Sequence, residues 1–278
     1  MNFKDVKLIL TQLDFKPKKH LGQNFITSQN IIDKIINLSD ISREDTILEV
    51  GPGIGALTKP IIEKAKKVYV VEIDQILSQY LSEKFSIYDN IEIINDDILR
   101  IDIPSHNKVV SNLPYKITGP ILEKLFFRTK SPQGILTIEK SIANRLFLSN
   151  NYKRFSRISI GLNAFMNPVV KYPIPRNSFY PIPKIDLALV KIIPKENLHQ
   201  LLLKEESVQF FLRFIAGIMP YKNKNLVNAL FLFYKANRDP YYTKEKILNI
   251  LKKENFENKK LFNFEIEEFI ELSRIFYS

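Results

Sequence analysis

Four short stretches of the chain, each following an apolar run, carry residue types that can do chemistry together. Glu49-Val50-Gly51-Pro52-Gly53-Ile54-Gly55 is a glycine turn, where the backbone can bend sharply and approach a ligand without Cβ contacts. The turn lacks the Lys-Ser/Thr of a triphosphate-binding loop, so triphosphate hydrolysis is not expected. Glu72, 21 residues after Gly51, is placed to accept hydrogen bonds from both hydroxyls of a ribose bound over the turn. Asp74 reads as the cap of the next helix. Of the pair Asp96-Asp97, one can accept a hydrogen bond from an adenine amino group while the other caps a turn. A turn, a ribose acceptor and a base acceptor describe an adenosyl ligand. They do not choose between NAD and S-adenosylmethionine.

The fourth stretch, Asn112-Leu113-Pro114-Tyr115, makes that choice. An asparagine carbonyl accepts from an exocyclic amine, the proline exposes the Leu113 carbonyl before it, and Tyr115 can stack on a planar ring. Two acceptors and a ring platform suit an aromatic amine such as N6 of adenine, with its nitrogen lone pair turned toward a sulfonium methyl. In the later segment Phe179-Tyr180-Pro181-Ile182-Pro183-Lys184, Phe179 can close over the opposite face of the same base. Base–aromatic stacking contributes about 1–3 kcal/mol per base.

The elements that must position these residues follow from hydrophobic periodicity. Apolar runs at 46–50, 67–72, 91–94, 108–111 and 134–138 read as strands, with helices over about 56–65, 75–85, 119–127 and 140–148. Strand–helix alternation with nearly all-apolar strands predicts an α/β fold: a mostly parallel sheet covered on both faces. Ahead of it lie a short helix through Leu10, a basic loop at Lys16-Pro17-Lys18-Lys19-His20, and a helix capped by Ser28 that carries Ile31, Ile32, Ile35 and Ile36. Residues 157–162 and 185–190 read as two strands forming an antiparallel edge, bracketing a segment too rich in proline for a helix. Past Pro194 the pattern is helical, over about 201–218, 224–234, 243–252 and 264–273. The expected organisation is a domain over 1–195 and a small all-helical domain over 196–278.

Composition narrows the partners. The 278 residues contain no cysteine, which excludes disulfides and thiolate chemistry, and His20, His106 and His199 are dispersed, so no metal site is expected. The net charge of +11 is uneven: residues 101–250 carry 23 basic against 9 acidic side chains. Such a concentration points to a polyanion, nucleic acid before membrane. Lys124, Arg145, Lys153, Arg154, Arg157, Lys171 and Arg176 are candidates for phosphate contact. The start of the chain lacks the apolar core of a signal peptide, and no stretch approaches a spanning helix, so a cytoplasmic protein without membrane association is expected.

These stretches, together with Leu21-Gly22-Gln23-Asn24-Phe25, resemble the small-subunit ribosomal RNA adenine dimethyltransferases from Lys19 to about Leu230. The resemblance implies a class I methyltransferase, Rossmann-like, with a helical substrate-recognition domain. The implied substrate is two adjacent adenosines near the 3′ end of small-subunit ribosomal RNA, converted to N6,N6-dimethyladenosine within an immature small subunit. The cofactor implied is S-adenosyl-L-methionine and the enzyme is expected to act as a monomer. By the same resemblance, Asn24, the backbone at Ile26, and Gly51 contact the methionine end of the cofactor. Glu72 takes the ribose, and Asp97 reads the adenine. Asn112 serves cofactor and target amine, the Leu113 carbonyl is the second acceptor, and Tyr115 and Phe179 hold the flipped base. Lys222 to Leu230 resembles a basic family segment that helps recognise the ribosomal substrate.

The departures from the family pattern, Glu139-Lys140-Ser141, Phe155-Ser156 and Asn223, touch RNA contact more than the cofactor. Two other readings compete: a large-subunit adenine N6-dimethyltransferase of the macrolide-resistance type, and a non-catalytic ribosome-assembly protein that binds RNA. Catalysis in the favoured reading needs orientation and stabilisation of charge developing on nitrogen rather than a metal or a strong base.

Overall fold

The structure, a computed structural model, describes residues 2–18, 21–148 and 155–277. Lys19, His20, Lys153 and Arg154, named above, lie outside the described residues. In chain order the elements are α1 (Phe3–Gln12), β1 (Phe25–Ile26), α2 (Gln29–Ser39), β2 (Thr46–Val50), α3 (Thr58–Ile62), β3 (Lys67–Val71), α4 (Gln75–Lys84), β4 (Ile91–Ile94), β5 (Lys108–Asn112), α5 (Thr118–Phe126), β6 (Gln133–Glu139) and α6 (Lys140–Leu146). They continue with α7 (Arg157–Phe165), β7 (Met166–Ile174), β8 (Phe179–Tyr180), β9 (Leu187–Pro194), α8 (Glu205–Ile218), α9 (Leu226–Ala236), α10 (Lys244–Lys253) and α11 (Ile266–Ile275). Among the described residues no helix is long and apolar enough to cross a membrane.

The chain divides into two compact units. The first takes in Met1–Phe126, Lys130–Asn144 and Met166–Pro194; the second takes in Phe127–Thr129, Arg145–Phe165 and Lys195–Ser278. The first unit is a seven-stranded sheet in the order β4-β3-β2-β5-β6-β9-β7, parallel through β6 and antiparallel from β9. The α/β expectation is met, and the parallel strands β2, β5 and β6 are buried along almost their whole length. Helix α2 turns Ile31, Ile32, Ile35 and Ile36 into the core, each contributing roughly 1.5–3 kcal/mol by burial. Ser28 holds the cap position of α2 in extended backbone, yet its hydroxyl makes no cap bond.

Two sequence expectations are corrected. Residues 157–162 are not a strand: they lie in α7, where Ser156 Oγ accepts the Ser159 amide at 3.3 Å. Six of the nine residues of α7 are buried, so its hydrophobicity surrounds the helix and carries no readable period. A Cβ on Gly161 would meet the Phe127 ring at 2.3 Å, so glycine permits a close approach there. The antiparallel partner of β9 is instead the proline-rich β7. It is the edge strand, paired on one side only, where Pro168 and Pro173 are tolerated, and its register shifts between Pro168 and Val170.

The second unit is held by aromatic contacts. Phe127 stacks on Phe165 at 6.4 Å, Phe214 meets Phe233 edge-on at 5.6 Å, and Phe155 lies 6.0 Å from Phe269. Phe211, Phe214, Ile215 and Ile218 of α8 are buried in its core.

Candidate functional site

Strand order reverses direction between β2 and β5, and that is where the two strands part. They pair only at Ile47–Lys108 and Leu48–Val109. Beyond these pairs the Ser111 hydroxyl takes over, donating to the Val50 carbonyl and accepting the Val50 amide at 3.3 Å. A crevice at the carboxyl ends of strands, at a reversal of strand order, is where open α/β sheets bind ligands.

The crevice opens into a cavity at the carboxyl edge of the sheet that is partly open to solvent. It is lined by the ends of four strands: Gly51 after β2, Glu72 after β3, Asp96 and Asp97 after β4, and Asn112 at the end of β5. Asn24 and Ile26 line it from the preceding segment. All six residues singled out for the cofactor therefore meet on one cavity. Gly51 has φ of +66°, and a Cβ there would come within 3.5 Å of Pro114. Gly53, with φ of +61°, is more tightly constrained, since a Cβ would also meet the Phe25 ring at 2.8 Å, whereas 3.5 Å at Gly51 is ordinary contact.

Each polar group is held from a second direction. The Asn112 side-chain amide donates to the Asn24 carbonyl at 3.0 Å, which leaves Oδ1 as its acceptor; the Tyr115 hydroxyl approaches that oxygen at 3.4 Å. Among the described residues no hydrogen bond takes the Leu113 carbonyl, while the Leu113 amide is fixed to the Thr137 carbonyl at 3.1 Å. Glu72 accepts the Asp74 amide at 2.9 Å. Burial pushes its carboxyl up to about 7, against the pull of the surrounding backbone amides. Asp97 closes its own turn, accepting the Leu99 amide at 2.9 Å, with Arg100 at 3.5 Å from its other oxygen.

The aromatic residues sit differently. Tyr115 is 9% exposed and Phe179 1%, and neither lines the cavity. Both belong to the core cluster that includes Ile26. Phe179 pairs with Ile26 across the two-stranded ribbon of β1 and β8, which ties the Asn24 segment to the aromatic–proline segment. Burial also pushes the Tyr115 phenol up, so it stays a donor. Of the phosphate-contact candidates, Lys124 is tied to the Ile101 carbonyl at 2.6 Å, Lys171 to Asn144 at 3.1 Å, and Arg176 lies 3.6 Å from Asp186; Arg145 is exposed.

Sequence reasoning passed over Glu49. It lines the cavity at 2% exposure, and among the described residues its Oε2 has no hydrogen-bond partner. Burial, reinforced by the charge of Glu72, pushes its carboxyl up to about 8. The signal was present: a carboxylate one residue before a glycine turn sits inside a strand of otherwise apolar residues, where burying it needs a reason. A buried carboxyl with one oxygen left unpartnered, glycines with positive φ along the backbone, and hydrogen-bond acceptors for a ribose and an amino group fit an adenosyl sulfonium carrying a methionine end.

Comparison with known proteins identifies the family. The family described as ribosomal RNA adenine dimethylase matches residues 14–270. A probable ribosomal RNA small subunit methyltransferase A of Methanococcoides burtonii is 34% identical over 272 residues, covering 98% of this chain and 97% of its own. The ribosomal RNA small subunit methyltransferase A of Fusobacterium nucleatum is 34% identical, covering 95% and 99%. Among solved structures, a dimethyladenosine transferase from Plasmodium falciparum has a TM-score of 0.74 at 25% identity, covering 89% of this chain and 95% of its own. The 23S rRNA methyltransferase ErmE has a TM-score of 0.63 at 21% identity, covering 91% and 100%, a likeness of fold.

Proposed function

The chain belongs to the ribosomal RNA adenine dimethylase family, and from that premise we propose that it methylates N6 of two adjacent adenosines near the 3′ end of small-subunit ribosomal RNA, using S-adenosylmethionine. It is an rRNA adenine N6,N6-dimethyltransferase by family. Our reading of its substrate particle is an immature small subunit, met in the cytoplasm by a single copy of the chain. The helical unit and the basic stretch from Lys222 serve RNA recognition in this reading.

The observation that carries it is the meeting of Asn24, Ile26, Gly51, Glu72, Asp97 and Asn112 on one cavity. S-adenosylmethionine, when bound, supplies a methyl group activated by a sulfonium. Asn24, the Ile26 backbone and Gly51 would hold its methionine end, Glu72 its ribose and Asp97 its adenine. Asn112 Oδ1 and the Leu113 carbonyl accept the two protons of the target amine, drawing its lone pair out of conjugation with the ring. Once alkylated, the nitrogen is acidic enough to lose its proton to water, so no buried base is required. Tyr115 and Phe179 are the rings assigned to the flipped base. Both are covered, so the base enters only when the ribbon of β1 and β8 parts from the core. The small-subunit reading is favoured over the large-subunit one by relatives named for the small subunit at 34% identity, against a likeness of fold to the 23S enzyme.

The test offers immature small subunits and free large-subunit RNA side by side, with tritiated methyl incorporation and mass spectrometry of the nucleosides. N6,N6-dimethyladenosine at adjacent positions of the small-subunit RNA is expected. Transfer to the large-subunit RNA alone, or none with S-adenosylmethionine bound, would refute the reading.

A further inference from the structure

Asp74 lies two residues beyond Glu72 and opens α4. Its Oδ1 accepts the Ile76 amide at 3.1 Å, which is the capping role the sequence predicts. Its Oδ2 faces away from the helix into a separate set of partners: Lys18 Nζ at 2.6 Å and Gln23 Nε2 at 3.4 Å. Gln23 Oε1 accepts the Lys18 amide at 2.7 Å, which ties Lys18 to Gln23 a second time. The Asp74 amide donates to Glu72, and Gln23 precedes Asn24, whose carbonyl Asn112 holds. Hydrogen bonds and the chain thus link Glu72, through Asp74 and Gln23, to Asn24 and Asn112 along the cavity, with Asp74 as the junction. The Asp74 side chain is 1% exposed and that of Lys18 44%. A helix cap uses one carboxylate oxygen and no cation, so α4 does not account for the buried second oxygen or its lysine. Lys18 and Gln23 hold the Asp74 carboxyl below the usual range despite the opposing push of burial.

We propose that Asp74, Lys18 and Gln23 form a latch that keeps residues 21–26 closed beside the cavity and sets the residence time of S-adenosylmethionine; this rests on the reading of the cavity as the S-adenosylmethionine site. Asp74 and Lys18 do not line the cavity, so they are positioning residues that act through Gln23 and Asn24. The device suits the chemistry. Methylating one nitrogen twice requires the spent cofactor to leave and a fresh one to enter between transfers. A segment at the cavity must open for that exchange, and here opening detaches one half-exposed lysine from one buried carboxylate.

The experiment combines hydrogen exchange of the cofactor-free protein with the dissociation rate of S-adenosylmethionine, for Lys18→Met, Asp74→Asn, the double variant and Lys18→Arg. Asparagine keeps an oxygen for the Ile76 amide, so α4 amides stay protected. Each single variant is expected to release the cofactor about tenfold faster and to exchange amides 21–26 faster, with the double variant no worse than either single one. Lys18→Arg stays near wild type. Unchanged exchange at 21–26, multiplicative effects in the double variant, or loosening confined to α4 would overturn the latch. Failure of the wild-type chain to bind S-adenosylmethionine would instead overturn the cavity reading and the latch's role in residence, while the exchange data would still report on closure.

Discussion

Gly51, Glu72 and Asp97 stand around a cavity that is already open, whereas Tyr115 and Phe179, assigned to the target base, finish a hydrophobic core. The first group is placed by strand ends, whose positions the sheet's ladders fix before any ligand arrives. The second is placed by packing, and its rings are covered. Ligand entry on the cofactor side therefore leaves the sheet and its core in place and asks only that residues 21–26 release from the Asp74 latch. Entry of a base must uncover Phe179, a step whose cost has to be met by contacts elsewhere on the RNA. A free adenosine has no such contacts. On the proposed function, the contrast would let one site hold its cofactor ready yet act only on nucleotides of a larger RNA.

Asn112 belongs to both halves, so replacing it should break the contrast most severely. Asn112→Ala is expected to lower methyl transfer by at least about a hundredfold, the scale for losing one polar contact to a transition state. Cofactor affinity should fall far less, because the strand end survives; tritiated methyl incorporation beside calorimetric titration of S-adenosylmethionine measures the split. Near-normal turnover would remove Asn112 from the chemistry. Phe179 sharpens the contrast from the other side. Phe179→Ala should cost about 3–5 kcal/mol of stability, as for other buried phenylalanines, seen in denaturant unfolding. Phe179→Leu restores most of the apolar volume; it should keep cofactor affinity but lose about tenfold in turnover, since leucine offers no ring to a base. Wild-type turnover by Phe179→Leu would make the residue core and nothing more. Glu72→Gln tests the open half alone. It keeps an oxygen for the Asp74 amide but weakens the ribose acceptor, so Kd for S-adenosylmethionine should rise about tenfold with kcat at saturation little changed.

Much of this arrangement was readable because sheets announce themselves. Five apolar runs marked the parallel strands, and each chemical residue stood at the carboxyl end of one, so Gly51, Glu72, Asp97 and Asn112 could be placed on one edge before any coordinates. What escaped reading depended on distant packing. Residues 157–162 alternate like a strand, but Gly161 against Phe127 and burial on nearly all sides make them helical. Prolines that exclude a helix do not exclude an edge strand, as β7 shows. Lys18 and Asp74 are 56 residues apart, with nothing local linking them. Glu49 was passed over because the glycines beside it drew the attention, though its burial is the less ordinary feature.

The smallest effect expected lies in the open half without its ligand, and it turns on Glu49. Its carboxyl is raised from the usual 4.5 to about 8 by burial, so the folded chain keeps a proton that the unfolded chain has already lost at neutral pH. Where the folded state binds the extra proton, stability falls as pH rises. The loss begins above 4.5 and levels off above about 8; Glu72, raised to about 7, acts in the same direction over the lower part of that window. Asp45 works oppositely and elsewhere: its carboxyl is lowered to about 2, so its contribution disappears only in acid, as pH falls from 3.8 toward 2. Thermal melts of the cofactor-free protein from pH 5 to 8 should therefore show a declining Tm. Glu49→Gln, which cannot ionise, should flatten the decline by a few degrees and exceed wild type at pH 8. A parallel decline in the variant would mean that Glu49 is ionised in the folded protein and that the cavity holds a fixed negative charge before any sulfonium enters.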